Sequence, residues 1–349
     1  MWDDFAPAPH SCVEAEVAAV RFRLAVPDVS TLSGHPVLAL VRERVASHSL
    51  PGRRRDDFKL GLAIEGGGMR GIISCAMAAE IARLTGYDAF DAVYGTSAGA
   101  LIGSFFVTRQ MHLGPSVFID DLTSGHFIRW RNALRRHPVV DLSYLMDEVL
   151  VNSKPLVYEK LAASLVPLKV VAASLTSARS RLLSDFQSRE ELWKALRASA
   201  TIPFLAGPPI PYRGDLLFDG GLFEPLPYES AIGDGCTHVL LLTSRPKGKH
   251  CRAPSALERR WIEPRLRRFS PETADTFHDI AARYRRDLDH IEWATDLPSK
   301  APYLCGLQLA RHHREIGRLQ RSRDRLIAGA AGAAQVVRMA LQIPALQAA

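Results

Sequence analysis

The sequence predicts a mixed α/β fold: a mostly parallel sheet between two helical layers. Three observations predict it. Two strand–turn–helix units follow one another between Lys59 and Val107, and consecutive βα units close into a parallel sheet. Short apolar runs such as Leu168 to Leu175 and Val239 to Leu242 read as strands buried on both faces. Of 349 residues, 47% are hydrophobic, enough for one large core with an addition. The expected organisation is a loop and helix extension over residues 1–57, a three-layer α/β/α domain over 58–245, and a basic helical C-terminal appendage over 246–349.

Taken in order, Pro7 and Pro9 argue for a loose start, and Val13 to Val26 mixes two spacings and stays unassigned. Pro36 to His48 places Val37, Leu38, Leu40, Val41 and Val45 at helical spacing, with Pro36 in the first turn. Arg53-Arg54-Arg55 followed by Asp56-Asp57 reads as a charged, solvated linker.

Lys59 to Glu65 is the first buried strand, and Ile72 to Leu84 the helix after it. Between them stand Gly66, Gly67, Gly68, Met69, Arg70 and Gly71. Three successive glycines leave backbone N–H groups bare, which suits a ligand that must approach the main chain. Two chemistries fit. Gly66, Gly68 and Gly71 match the G-x-G-x-x-G of dinucleotide sites. Alternatively the loop supplies oxyanion-hole donors. A dinucleotide needs an acid at the end of the next strand, about 20 residues on. Asp88 and Asp91 instead precede or open that strand.

Asp91 to Thr96 leads into Gly95-Thr96-Ser97-Ala98-Gly99, and Ala98 to Val107 leaves as a helix. This is G-x-S-x-G on a strand-to-helix turn. Such an elbow projects the serine hydroxyl, Gly95 and Gly99 keep side chains off it, and the helix N-terminus favours negative charge. Further on, Leu216-Leu217-Phe218 delivers Asp219 to the turn Gly220-Gly221, placing a carboxylate where it can orient or deprotonate Ser97.

The three motifs in this order resemble those of patatin-like phospholipases. Arg197-Ala198-Ser199-Ala200-Thr201-Ile202-Pro203-Phe204 also resembles a stretch that precedes the acid in that family, and the likeness covers roughly Lys59 to Ser244. The resemblance implies a lipid acyl hydrolase with a Ser97–Asp219 dyad and no histidine. The loop Gly66 to Gly71 and the Ala98 amide would then hold the oxyanion. One departure stands out: Glu224-Pro225-Leu226-Pro227 replaces the family's Asn-x-Pro. No metal-ligand cluster is visible in the sequence, so no metal or cofactor is expected, and the resemblance implies a lipid ester as substrate.

A Ser-His-Asp triad would draw on His238, which follows Asp219 but opens an apolar strand. Between 111 and 165 the pattern is of helices and loops. Phe127, Ile128 and Trp130 lie there among Arg129, Arg131, Arg135 and Arg136, either as a cap over a substrate groove or as a half-buried helix. Arg181 to Phe186 and Glu190 to Ser199 read as a strand and a helix.

The net charge of +7 is unevenly placed. Residues 1–244 carry 24 Lys/Arg against 26 Asp/Glu, whereas 245–325 carry 19 against 11. Trp261 to Phe269, Asp275 to Trp293 and Gln308 to Ile327 are expected as charged helices, either packed on the domain or meeting an anionic membrane surface. Nucleic acid is not an expected partner, because no binding module accompanies the charge. Ala328 to Ala349 is expected as a docking helix or a tail. The five cysteines are scattered, which fits a reducing compartment rather than a disulfide framework. Met1 to Phe5 lacks the regions of a signal peptide, and the longest apolar run belongs to the elbow helix. A cytoplasmic, membrane-peripheral location is expected, and nothing in the sequence sets an oligomeric state.

Overall fold

A computed structural model describes residues 32, 34–134, 137–203 and 205–343. The expectations for Pro7, Pro9 and Val13 to Val26 lie outside them.

Among the described residues, eight strands form one sheet. They are β1 (Leu60–Ile64), β2 (Ala92–Thr96), β3 (Leu168–Ser174), β4 (Arg179–Leu183), β5 (Ile210–Tyr212), β6 (Asp215–Asp219), β7 (His238–Leu242) and β8 (Tyr303–Leu307). The order is β5-β6-β3-β2-β1-β7-β8, with β4 also on β3. Strands β3, β2, β1, β7 and β8 run parallel. The remaining pairings, β3 with β4, β3 with β6 and β5 with β6, are antiparallel.

Alternation along the strands divides the core into two faces. On one, Leu60, Leu62 and Ile64 of β1 and Leu240 and Leu242 of β7 meet α1 (Pro36–Ala46), α2 (Ile72–Thr85), α3 (Ala98–Val107) and α4 (Arg189–Ala200). On the other, Ala63, Tyr94, Val239 and Leu241 meet α5 (Tyr228–Gly233) and the long α7 (Pro271–Asp296), beside α6 (Ala256–Leu266). Both faces of these strands are apolar, so each needs a helical cover.

That requirement changes the reading of residues 246–349, which were expected to hold helices alone. Tyr303–Leu307 is a sheet strand, pairing with β7 from His238↔Tyr303 to Leu242↔Leu307. Gln308 to Ile327 is not one helix; its first part is irregular, and α8 (Arg323–Leu341) starts later and packs against α2. The segment Ala328 to Leu341 is thus a docked helix, with Ala333, Val337 and Leu341 buried in the main core. The C-terminal residues therefore belong to the sheet and to both covering layers.

The linker Arg53 to Asp57 is also more built than expected. Arg54 pairs with Asp91 at 2.6 Å and donates to the carbonyls of Ser49, Asp88 and Phe90. Arg44 of α1 is buried and ties Asp56 and Asp91 to the carbonyls of Ala89 and Phe58. Among the described residues no helix is long and apolar enough to cross a membrane.

Candidate active site

Strand β3 decides the position of the site. β4 takes one edge of β3 over residues 170–174. The other edge is shared: β2 takes Leu168 to Val171, and β6 takes Ala172 to Ser174 from the opposite direction. The two strand ends therefore meet head to head, Thr96 opposite Val171 and Asp219 opposite Ala172. Ser97 leaves the end of β2, Asp219 closes β6, and the two side chains converge. Ser97 Oγ donates to Asp219 Oδ2 at 2.6 Å, and both residues are buried.

The turn at Ser97 is strained. Its φ of +56° and ψ of −125° lie in a region that non-glycine residues rarely occupy. Ser199 holds it there: the Ser97 N–H donates to Ser199 Oγ at 2.8 Å, and that hydroxyl donates to Val171 C=O at 2.6 Å. The segment around Ser199 thus clamps the elbow. Its Thr201 carbonyl accepts from Asp219 N–H, and its Ile202 and Pro203 line the cavity. Phe204 lies outside the described residues. Ala98 opens α3, where its N–H has no carbonyl four residues back to bond.

Asp219 Oδ1 accepts from Gly221 N–H at 2.7 Å, while Gly220 begins the turn beneath it. Burial pushes the Asp219 carboxyl up from its ordinary 3.8. Hydrogen bonds from Ser97 and Gly221, and the charge of Arg318, oppose this in part.

The glycine loop lies beside the elbow. A Cβ on Gly66 would come within 2.7 Å of Ser97 Cβ, so only glycine allows this approach. Gly67 has φ +141° and Gly68 has φ +59°. Two members of the expected oxyanion set sit otherwise. The Met69 N–H is taken by the carbonyl of Arg318 at 3.0 Å, and its side chain is in the core. The Arg70 guanidinium is buried and donates to Ser244 Oγ at 2.9 Å, its pKa lowered to about 10 by burial and by the charge of Arg245. Gly71 serves packing, with Ala98 and Phe118 against it.

A cavity of about 120 Å³ holds Ser97, Asp219, Gly66, Gly67 and Gly68 in its wall. Its apolar side is built by Ile202, Leu222 and Pro225, and by Ile262, Phe277, Ile280 and Tyr284 from α6 and α7. That wall comes from the C-terminal helices, not from 111–165, for which a cap was one of two readings; Phe127 and Ile128 are buried elsewhere and Trp130 faces solvent. Sequence reasoning missed Ile262, Phe277 and Tyr284. Their only signal was apolar residues inside a highly charged stretch. Tyr284 Oη donates to Glu65 at 2.7 Å, anchoring α7 to the base of the glycine loop. Glu224, at the departure from Asn-x-Pro, turns its carboxylate to the N–H and hydroxyl of Ser230, 2.7 Å each, and its carbonyl accepts from Thr96.

The rival readings fare differently. His238 pairs with Leu60 at the start of β1, the end of the sheet away from Ser97. Its ring packs between Phe58 and Tyr303, and Nδ1 meets Thr237 Oγ1. No histidine is in the cavity wall among the described residues. Asp91 stands before β2 and is taken up by Arg44, Arg54 and the Leu60 N–H, and Asp88 by Arg109. Neither acid is at the strand end where a dinucleotide ribose would bind.

Fold and site together define the class: an α/β/α protein with a serine on a strand-to-helix elbow facing a carboxylate, at the carboxyl end of a mostly parallel sheet. Residues 62–232 match the family described as patatin-like phospholipase. That stretch is similar to a patatin-like phospholipase domain, and such a domain indicates a carboxylic ester hydrolase. The protein called "Uncharacterized protein YjjU" of Escherichia coli (strain K12) is 25% identical over 189 residues, 54% of this chain and 52% of that protein. The chain thus spans about half the length of the curated relative it matches.

Proposed function

We propose that this chain hydrolyses carboxylic esters of lipids, as a phospholipase A or lysophospholipase, through an acyl-enzyme on Ser97 with Asp219 as its base. The observation that carries this is the 2.6 Å hydrogen bond from Ser97 to Asp219 in a cavity with an apolar wall. Asp219 takes the Ser97 proton as Oγ attacks the acyl carbonyl. The amides of Gly67, Gly68 and Ala98 receive the tetrahedral oxyanion. The intermediate collapses, Asp219 gives its proton to the leaving alkoxide, and the acyl group stays on Ser97. Water, deprotonated by Asp219, then attacks the acyl-enzyme, and as the fatty acid leaves Asp219 returns the proton to Ser97 Oγ. A carboxylate is a weaker base than imidazole, and burial of Asp219 offsets part of that difference by raising its pKa.

The substrate surface is an anionic lipid layer, met by α6. Ile262 of that helix lines the cavity. Leu257 and Trp261 are 65% and 56% exposed, and Trp261 shares a surface hollow with Arg260, Arg265 and Arg268. Exposed apolar side chains on a helix that also carries arginines suit a headgroup boundary. We place the enzyme in the cytoplasm, at such surfaces.

The test is labelling with a fluorophosphonate probe alongside hydrolysis of a p-nitrophenyl ester. Wild-type protein should be labelled and active. Ser97→Ala should lose the label and fall by up to about 10⁶-fold in kcat. Full activity in Ser97→Ala would end the proposal.

A further inference from the structure

The irregular segment 308–322, between β8 and α8, runs back across the glycine loop. Its hold there is a main-chain one, from the Met69 N–H to the Arg318 carbonyl. The approach is close: a Cβ on Gly68 would sit 2.7 Å from that carbonyl oxygen. Arg318 is thus fixed over the loop by its backbone. The residue is exposed overall, yet it lines the same cavity as Ser97 and Asp219.

Neighbouring cations are otherwise engaged. Arg70 bonds Ser244, Arg245 pairs with Glu315, Arg321 donates to the Thr123 carbonyl, and Arg323 pairs with Asp120. Among the described residues no carboxylate, hydroxyl or carbonyl accepts from the Arg318 guanidinium. Its charge reaches Asp219, whose carboxyl it draws down against the larger effect of burial. The cavity therefore has an apolar wall on the α6 and α7 side, and an unpaired guanidinium at the strap. The first suits an acyl chain. The second is a planar donor fork that matches phosphate oxygens.

Taking Ser97 as the nucleophile, as proposed above, we infer that Arg318 forms a subsite for a phosphate group carried by the lipid whose acyl ester is cleaved. In a glycerophospholipid the phosphate is only a few bonds from the scissile carbonyl, so one molecule fills both sides of the cavity. A neutral glyceride leaves the guanidinium without a partner. The preferred substrate class is then phosphate-bearing lipids over neutral glycerides.

The experiment compares the full chain with Arg318→Ala and Arg318→Lys on three esters in neutral detergent micelles. These are phosphatidic acid, diacylglycerol of the same acyl chains, and p-nitrophenyl butyrate. Arg318→Ala should lose about 10- to 100-fold more in kcat/KM on phosphatidic acid than on the other two, the excess falling chiefly on KM, while any change through Asp219 is common to all three esters. Arg318→Lys should recover part of the loss. An equal loss on all three esters would mean that Arg318 only tunes Asp219, and no loss on phosphatidic acid would mean no subsite; either overturns the inference. Binding reads the subsite apart from the chemistry. Short-chain phosphatidic acid titrated into Ser97→Ala should bind about 10- to 100-fold more tightly than into the Ser97→Ala, Arg318→Ala double variant, and equal affinities overturn the subsite. Inorganic phosphate as competitor separates the sources: a free-phosphate site would be blocked at low millimolar concentration, whereas a lipid subsite needs the acyl chain as well. Failure of the fluorophosphonate to label wild-type protein sinks the nucleophile assignment and leaves the binding comparison to decide on Arg318.

Discussion

Asp219→Asn separates the chemistry of the site from its architecture. The amide has nearly the same shape, so its oxygen can still accept from Gly221 N–H and its nitrogen can face Ser97 Oγ. What disappears is the ability to take a proton. Removing the base from a serine hydrolase costs about 10⁴-fold or more in kcat, which is about 5 kcal/mol of transition-state stabilisation. Stability should move the other way or not at all. Burial raises the Asp219 carboxyl above its ordinary 3.8, so the folded state binds that proton more tightly than the unfolded chain does. The charged form therefore costs stability at neutral pH, and the cost vanishes as pH falls below both pKa values. An amide never carries that charge. The variant should show a Tm at pH 7 no lower than wild type, with kcat on p-nitrophenyl butyrate down about 10⁴-fold. The same shift sets a pH profile. Protonated Asp219 cannot act as base, so wild-type kcat/KM should be present at neutral pH and lost on acidification, with a midpoint above 3.8. Folded Asp219→Asn within about tenfold of wild-type kcat would refute the reasoning.

Two further outcomes follow from the clamp and from α6. Ser199→Ala leaves the Ser97 N–H and the Val171 carbonyl without their shared hydroxyl, and should lower stability by about 1–3 kcal/mol in urea unfolding while reducing kcat. Unchanged stability and kcat would show that the elbow keeps its φ of +56° without Ser199. Leu257→Ala with Trp261→Ala should weaken co-sedimentation with phosphatidylglycerol vesicles severalfold and leave p-nitrophenyl butyrate hydrolysis unchanged. Equal sedimentation of wild type and variant would remove α6 as the docking face.

Much of the candidate site's geometry was legible because its signals are local. A glycine run after an apolar strand, a serine between glycines before a helix, and an aspartate on a glycine turn each report a backbone shape that few other residues permit. The elements around them followed from period alone: Ala98 to Val107 is a helix with the expected bounds, and Val239 to Leu242 a buried strand. The cavity wall was hidden because Ile262, Phe277 and Tyr284 lie on helices whose charge suggested only a solvated face. Arg54 and Arg44 were hidden for a similar reason. A charged side chain reads as exposed until its carboxylate partners, here Asp56 and Asp91, are brought in from elsewhere in the chain.

By itself, then, the sequence determined the turn chemistry, the alternation of the buried strands and the identity of the nucleophile and acid candidates, because neighbours in the chain are sufficient to specify these. Only the tertiary structure decided that β2 and β6 end against each other on one edge of β3, that α6 and α7 roof the cavity, and that the Arg318 strap takes the Met69 amide. Each of those joins residues far apart in the chain, and what selects such pairings is the burial of both faces of one shared sheet, a property of the whole fold.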